Sequence, residues 1–140
     1  MQKSQELFKF RKRVLMTDKP HKKLEAGKYG FEFVTEIYRV TQAFPPEEKF
    51  GLVSQLRRAS VSIATNIAEG AGRKSAKEFI RFLSIALGSL SEIDTLLMLS
   101  KTLGFISDPT CSDLLTKLDT IGKLIYGLMK KLGYKPTPNR

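Results

Sequence analysis

The sequence predicts an all-α protein: an antiparallel, up-down-up-down four-helix bundle preceded by a basic extension. Three observations predict it. Apolar residues recur at alternating steps of three and four through four separate stretches, as in helices that bury one stripe. Glycine, proline and capping residues mark the ends of these stretches, and the connections are short enough to make neighbours antiparallel. No stretch shows the period of two that a half-buried strand requires.

The first helix is expected from about Leu24 or Lys28 to Phe44, with Gly30, Phe33, Ile37, Val40 and Phe44 on its buried seam. Gly27 and Gly30 each cost about 1 kcal/mol relative to alanine, which softens its start. Pro45 and Pro46 stop it, and Pro46 opens a second helix that runs to Glu69. Glu47 and Glu48 suit the positive end of that helix dipole. Val53, Leu56, Ser60, Ile63 and Ile67 form its seam, and Gly70 and Gly72 offer the left-handed conformation of a C-cap. Ser75 and Glu78 make a capping box for the third helix, whose seam is Phe79, Leu83, Ala86, Leu90, Ile93 and Leu97. Gly88 and Ser89 keep its middle thin, which permits close approach by another helix. Gly104 ends it, and Ser107 with Pro109 starts the fourth. There Leu114, Leu118, Ile121, Ile125, Leu128 and Leu132 give the cleanest seam, closed by Gly133, Pro136 and Pro138. The chain therefore divides into an extension and linker (1–22), the bundle (23–133) and a basic tail (134–140).

A chain of 140 residues makes one domain with a core of its own. No uninterrupted apolar run reaches about 18 residues, so no membrane span is expected. The first 16 residues lack the apolar segment of a signal peptide. Cys111 is the single cysteine, which excludes an internal disulfide and fits a reducing cytoplasm.

The net charge of +10 sits at the two ends of the chain. Residues 1–28 carry +6 and residues 130–140 carry +4, while the stretch between them is neutral. Such ends either solubilise the chain or act as electrostatic arms for a polyanion. Near the start, Lys9, Arg11, Lys12 and Arg13 interleave with Leu7, Phe8, Phe10, Val14 and Leu15. A short basic helix of this kind fits a phosphate backbone, an anionic membrane surface or a neighbouring subunit. Lys130 and Lys131 provide the corresponding bases near the other end.

Catalytic chemistry is missing. His21 and Cys111 are the only histidine and cysteine, too few for a structural metal site, and no Glu-x-x-His pair could hold a di-iron centre. Gly70-Ala-Gly72 has neither the preceding strand nor the Gly-Lys ending of a phosphate loop. Glu92 and Asp94, two residues apart on a helix, point away from one another. Cys111 near a helix N-terminus is either a thiol of lowered pKa or a packed one. The expectation is a non-enzyme without cofactor or metal.

Two polar groups exceed what packing needs. Gln55, Arg58, Ser62, Asn66 and Glu69 form a second stripe on the second helix, roughly 120° from its seam. Amide, hydroxyl and paired charge suit a partly buried polar contact between helix hairpins or subunits. Arg57, Arg58, Arg73, Lys74, Lys77 and Arg81 are expected to gather around the second-to-third connection, against Glu69 and Glu78 alone. They form either an anion site or internal pairs, Arg58 and Arg73 with Glu69 and Arg81 with Glu78.

The stretches Glu36 to Gly70 and Gly72 to Leu97 closely resemble the four-helix-bundle proteins encoded within intervening sequences of bacterial 23S ribosomal RNA genes, the S23 family. Matching positions include Gln55, Arg57, Arg58, Ser62, Asn66, Glu69, Gly70, Arg73, Phe79, Phe82, Gly88, Ser89 and Glu92. Gly27 and Gly30 depart from it, standing where members often have Trp and Ala, and the first 20 residues extend beyond the usual start. The resemblance implies a left-handed bundle assembled as a ring-like homopentamer, without enzymatic activity. A related, divergent group comprises the accessory variability proteins of diversity-generating retroelements, in which a basic pentamer binds nucleic acid and a reverse transcriptase. The function expected is thus a non-enzymatic, oligomeric RNA- or DNA-binding accessory protein, through Lys9, Arg11, Lys12, Arg13, Arg57, Arg58, Arg73, Lys74, Lys77, Arg81, Lys130 and Lys131. The alternative is a scaffold that docks proteins without touching nucleic acid.

Overall fold

A computed structural model describes residues 21–138, with Gln2 and Gln5 alone before them. Four helices span His21–Thr41 (α1), Leu52–Ala71 (α2), Ala76–Thr102 (α3) and Asp108–Lys131 (α4), and no strand occurs among the described residues. Each helix packs on two neighbours around a square, α1 and α3 both touching α2 and α4, with no helix pair in contact across the diagonals among the described residues. Contacts between residues distant in sequence fix the antiparallel order. The Arg57 Nε donates to Thr41 Oγ1 at 3.0 Å, Ser89 Oγ to Ser62 Oγ at 2.8 Å, and Lys117 Nζ to Glu36 Oε1 at 3.4 Å.

The seams close the core as their periodicity predicts. Phe33, Ile37, Leu56, Ile63, Ile67, Leu83, Ile93, Leu97, Leu114, Ile121 and Ile125 are all buried. The start of the second helix differs from expectation. Pro46–Glu48 form a separate 3-10 turn, and α2 begins only at Leu52, whose N–H donates to Glu48 Oε2 at 3.0 Å. Glu48 therefore caps α2 from outside rather than sitting in its first turn. Ser75 and Ser107 cap α3 and α4, accepting from the N–H groups of Glu78 and Thr110. Gly104 (φ 81°) and Gly133 (φ 100°) end them in the left-handed region.

Three glycines act otherwise than expected. Gly72 has φ −85°, so no left-handed cap ends α2. Gly70 instead lies where α2 crosses α3: a Cβ there would stand 2.8 Å from Phe79 Cδ1 and 3.0 Å from Phe82 Cβ. Gly88 faces open space, so of the two it is Ser89 that approaches α2. By length and composition alone α3 could cross a membrane, although Glu92 and Asp94 interrupt it. Here it forms one wall of the bundle.

Candidate nucleic-acid interface

The helix order decides where the charge goes. α1 starts, α2 ends, α3 starts and α4 ends at the same end of the bundle. That end holds residues 21–30, 68–83 and 123–138, with eleven Lys/Arg against Glu25, Glu69 and Glu78, a net +8. The opposite half, residues 31–67 and 84–122, has six Lys/Arg and nine Asp/Glu, a net −3. A chain whose middle looks neutral in sequence thus folds into a bundle polarised along its axis. The field of the basic half is additive over distances shorter than a Debye length, about 8 Å at physiological salt.

At the basic end, Arg73, Lys74, Lys77 and Arg81 are all exposed on the α2–α3 turn and the first turns of α3. Phe82 organises two of them. The Arg73 guanidinium lies 4.9 Å from its ring centroid and that of Arg81 4.7 Å. Arg73 also reaches Glu69 at 3.6 Å, an exposed pair of little energetic weight. Stacking on Phe82 limits the freedom of both guanidinia while leaving N–H donors for a phosphate oxygen. Lys130 and Lys131, exposed at the end of α4, stand at the same end. Lys9, Arg11, Lys12 and Arg13 lie outside the described residues.

The expected gathering of six bases is corrected in two places. Arg57 and Arg58 sit in the first half of α2, about 20 Å of helix from the turn at a rise of 1.5 Å per residue. Arg57 is engaged with α1: besides Thr41, its Nη2 donates to the Tyr38 carbonyl at 3.4 Å, and its guanidinium stacks 4.5 Å from the Tyr38 ring. It is a packing residue of the α1–α2 seam. Arg58 is exposed and does not pair with Glu69; Arg81 stacks on Phe82 instead of pairing with Glu78.

The polar stripe splits in the same way. Ser62 and Asn66 are half-buried at the α2–α3 seam, where Asn66 Nδ2 donates to the Ser62 carbonyl at 2.8 Å and to its Oγ at 3.1 Å. Together with Ser89 they form a closed hydrogen-bonded set. Gln55, Arg58 and Glu69 are exposed. The sequence did not single out Phe82 as the support of the basic cluster; its place one turn after Lys77 and beside Arg81 was the available signal.

Elsewhere the titratable groups behave as structural ones. Arg39 bonds the Glu36 carboxylate at 2.6 Å and, with Lys117, holds its pKa below the ordinary value. The hydrogen bond to Asp113, then that to Glu36, raises Lys117 despite partial burial. Burial pushes the Cys111 thiol up, with the Leu97 carbonyl 3.7 Å from its Sγ, so it is the packed thiol of the two alternatives. Glu36 and Lys117 line a groove of about 320 Å³ between α1 and α4, floored by Phe33 and Ile121. Among the described residues no three His, Cys, Asp or Glu side chains cluster as metal ligands.

The fold and its charges define a small four-helix bundle with one basic end. The 23S rRNA-intervening sequence protein family matches residues 22–127, and the chain belongs to that family. A solved structure of a protein of unknown function from the S23 ribosomal protein family of Bacteroides thetaiotaomicron is similar, with a TM-score of 0.73 and 26% identity over 78% of this chain and 98% of that one. No curated protein matches.

Proposed function

We propose that the protein is a non-enzymatic, oligomeric accessory protein that binds RNA or DNA in the cytoplasm, holding the phosphate backbone against its basic end. One observation carries the reading: the fold concentrates a net +8 at one end of the bundle and −3 at the other. Arg73, Lys74, Lys77 and Arg81 are the main contacts, Lys130 and Lys131 flank them, and Lys9, Arg11, Lys12 and Arg13 extend the same charge along the chain. Phosphate recognition by point charges and stacked guanidinia reads backbone rather than sequence. A ring of parallel subunits, the homopentamer that the resemblance implies, would merge the basic ends into one surface.

The test is a fluorescence-anisotropy titration of RNA and DNA oligonucleotides across salt concentration. Binding with a log–log salt slope of about −0.9 for each phosphate neutralised on duplex DNA is expected. Absence of binding at low salt overturns the reading. A reverse transcriptase is the protein partner that the related accessory variability proteins suggest, and a neighbouring gene for one, with template and variable repeats, is the observation that supports it. The alternative, a docking scaffold, draws support from a different surface, where Ala59 to Ala68 of α2 and Phe82 to Ser91 of α3 carry no charge.

A further inference from the structure

Among the described residues the strongly exposed aromatic rings are those of Tyr29, Tyr38, Phe50 and Tyr126. Three of them are otherwise engaged or badly placed for a polyanion. Tyr38 carries the Arg57 guanidinium, and Phe50 lies under Lys49 at the end away from the basic cluster. Tyr29 lines the α1–α4 groove together with the carboxylates of Glu32 and Glu36. Tyr126, 51% exposed on α4, is the exception. No cation covers its ring, and its hydroxyl has no hydrogen bond among the described residues.

The neighbours of Tyr126 along α4 are bases. Lys123 stands three residues before it and Lys130 four after, so both share its side of the helix. Lys130 has no ion pair among the described residues, and Lys123 has only an exposed one, with Asp119 at 3.2 Å. From 122 to 130 the chain holds no acid, and Gly122 places no side chain beside the ring. The adjoining helix gives this strip a direction. A Cβ on Gly122 would stand 3.5 Å from Leu90 Cδ1, so these two residues are level on α4 and α3. From that level Tyr126 lies four residues, about 6 Å, toward the basic end. At eight residues, about 12 Å, Lys130 comes level with Phe82, whose ring carries Arg73 and Arg81. In the other direction stand Glu92 and Asp119, two and three residues beyond the level. A phosphate chain that crosses Tyr126 is drawn toward the basic end and repelled from the other side.

We infer that Tyr126 is a stacking platform for an unpaired base, and that the basic end takes a single strand of RNA or DNA in preference to a duplex. A duplex keeps its bases paired and offers such a surface mainly phosphates, which lysines hold without help from a ring. A single strand presents the faces of its bases. An open aromatic ring between two lysines stacks a base while the ammonium groups meet the phosphates on either side of it. Phe82 does not serve in this way, because two guanidinia already cover its ring. Stacking tolerates any base, in keeping with a surface that reads backbone rather than sequence. The inference rests on the nucleic-acid reading of the proposed function and names the kind of strand for it.

The experiment is an anisotropy titration of the full chain with labelled oligonucleotides of one sequence, as single-stranded RNA, single-stranded DNA and the duplex of each. At least one single strand should bind more tightly than its duplex, and the sugar of the tighter strand tells RNA from DNA. Tyr126→Ala should weaken that strand about tenfold, within the range of one lost base–aromatic stack, and leave duplex affinity and helical circular dichroism unchanged. Tyr126→Phe, which keeps the ring, should bind as wild type. The salt slope of Tyr126→Ala should also stay, since no charge is removed, whereas Lys123→Ala with Lys130→Ala should flatten it by about 0.7 for each phosphate released. Equal affinity for strand and duplex with both sugars, a Tyr126→Ala variant of wild-type affinity, or a Tyr126→Phe variant as weak as Tyr126→Ala overturns the inference. In each of those cases the chain still binds oligonucleotides and the backbone reading stands. A chain that binds none of them defeats that reading, and the inference with it.

Discussion

The two ends of the bundle are built from the same helices yet differ in what their charges do. At the end where α2 turns into α3, Arg73, Lys74, Lys77 and Arg81 face solvent with Glu69 as the one ion-pair partner among the described residues. At the other end several charges answer one another across helices: Arg39 and Lys117 share Glu36, Lys117 also meets Asp113, and Arg57 binds Tyr38 and Thr41, while Arg58 and Lys101 stay exposed. The first arrangement leaves positive potential for an outside partner. The second engages Arg57 and the Glu36–Lys117 pair in holding helices together. An arginine is therefore read by its end and its neighbours rather than by its type.

The comparison breaks most sharply at the turn. Neutralising Arg73, Lys74, Lys77 and Arg81 together should weaken oligonucleotide binding by on the order of a hundredfold at low salt. The salt slope should flatten by about 0.9 for each duplex-DNA phosphate that is no longer neutralised. Anisotropy titrations check both. Thermal melting should stay close to wild type, because all four side chains are exposed.

Gly70→Ala probes the frame that carries the turn. The added methyl meets the Phe79 ring and the Phe82 Cβ, so overpacking of about 1–3 kcal/mol should outweigh the roughly 1 kcal/mol gain in helix propensity. Denaturant unfolding reads the difference. Arg57→Ala should lower stability by about 1–2 kcal/mol through the missing stacking on Tyr38 and the lost hydrogen bond to Thr41, and leave oligonucleotide affinity nearly unchanged. An affinity loss equal to that of the turn variant would erase the contrast between the two arginines.

The smallest effect concerns pH. Glu36 has a lowered folded-state pKa, so its contribution is present above its unfolded value and is lost as pH falls through the folded one. Wild type should lose more stability between neutral and acid pH than Glu36→Gln, by under about 1 kcal/mol for so exposed a network.

Much of the fold was legible because its causes are local. The steps of three and four, the caps Ser75 and Ser107 and the stops Gly104 and Gly133 act within a few residues of where they stand. What was not legible depends on register. Gly70 looks like a cap in sequence, and only the neighbouring helix shows that Phe79 and Phe82 forbid a side chain there. Gly88 looks like a thin contact point and faces outward instead. The delayed start of α2 turns on Glu48 folding back to the Leu52 N–H, a choice that the Pro-Pro signal does not encode. The candidate site followed the same rule: the turn bases were visible, but their level with Lys130 and Lys131, and the separation of Arg57 and Arg58 from them, required the helix order.

The central claim is that charge gathered at one end of the bundle holds a polyanion. Its most direct test compares oligonucleotide affinity for two variants of equal charge change, Arg73→Glu with Lys77→Glu at the basic end and Lys49→Glu with Lys101→Glu at the other. The account predicts that the first pair loses at least tenfold more affinity than the second at the same salt, about 1.4 kcal/mol or more. Equal losses would mean that net charge alone governs binding and that the fold's polarity plays no part.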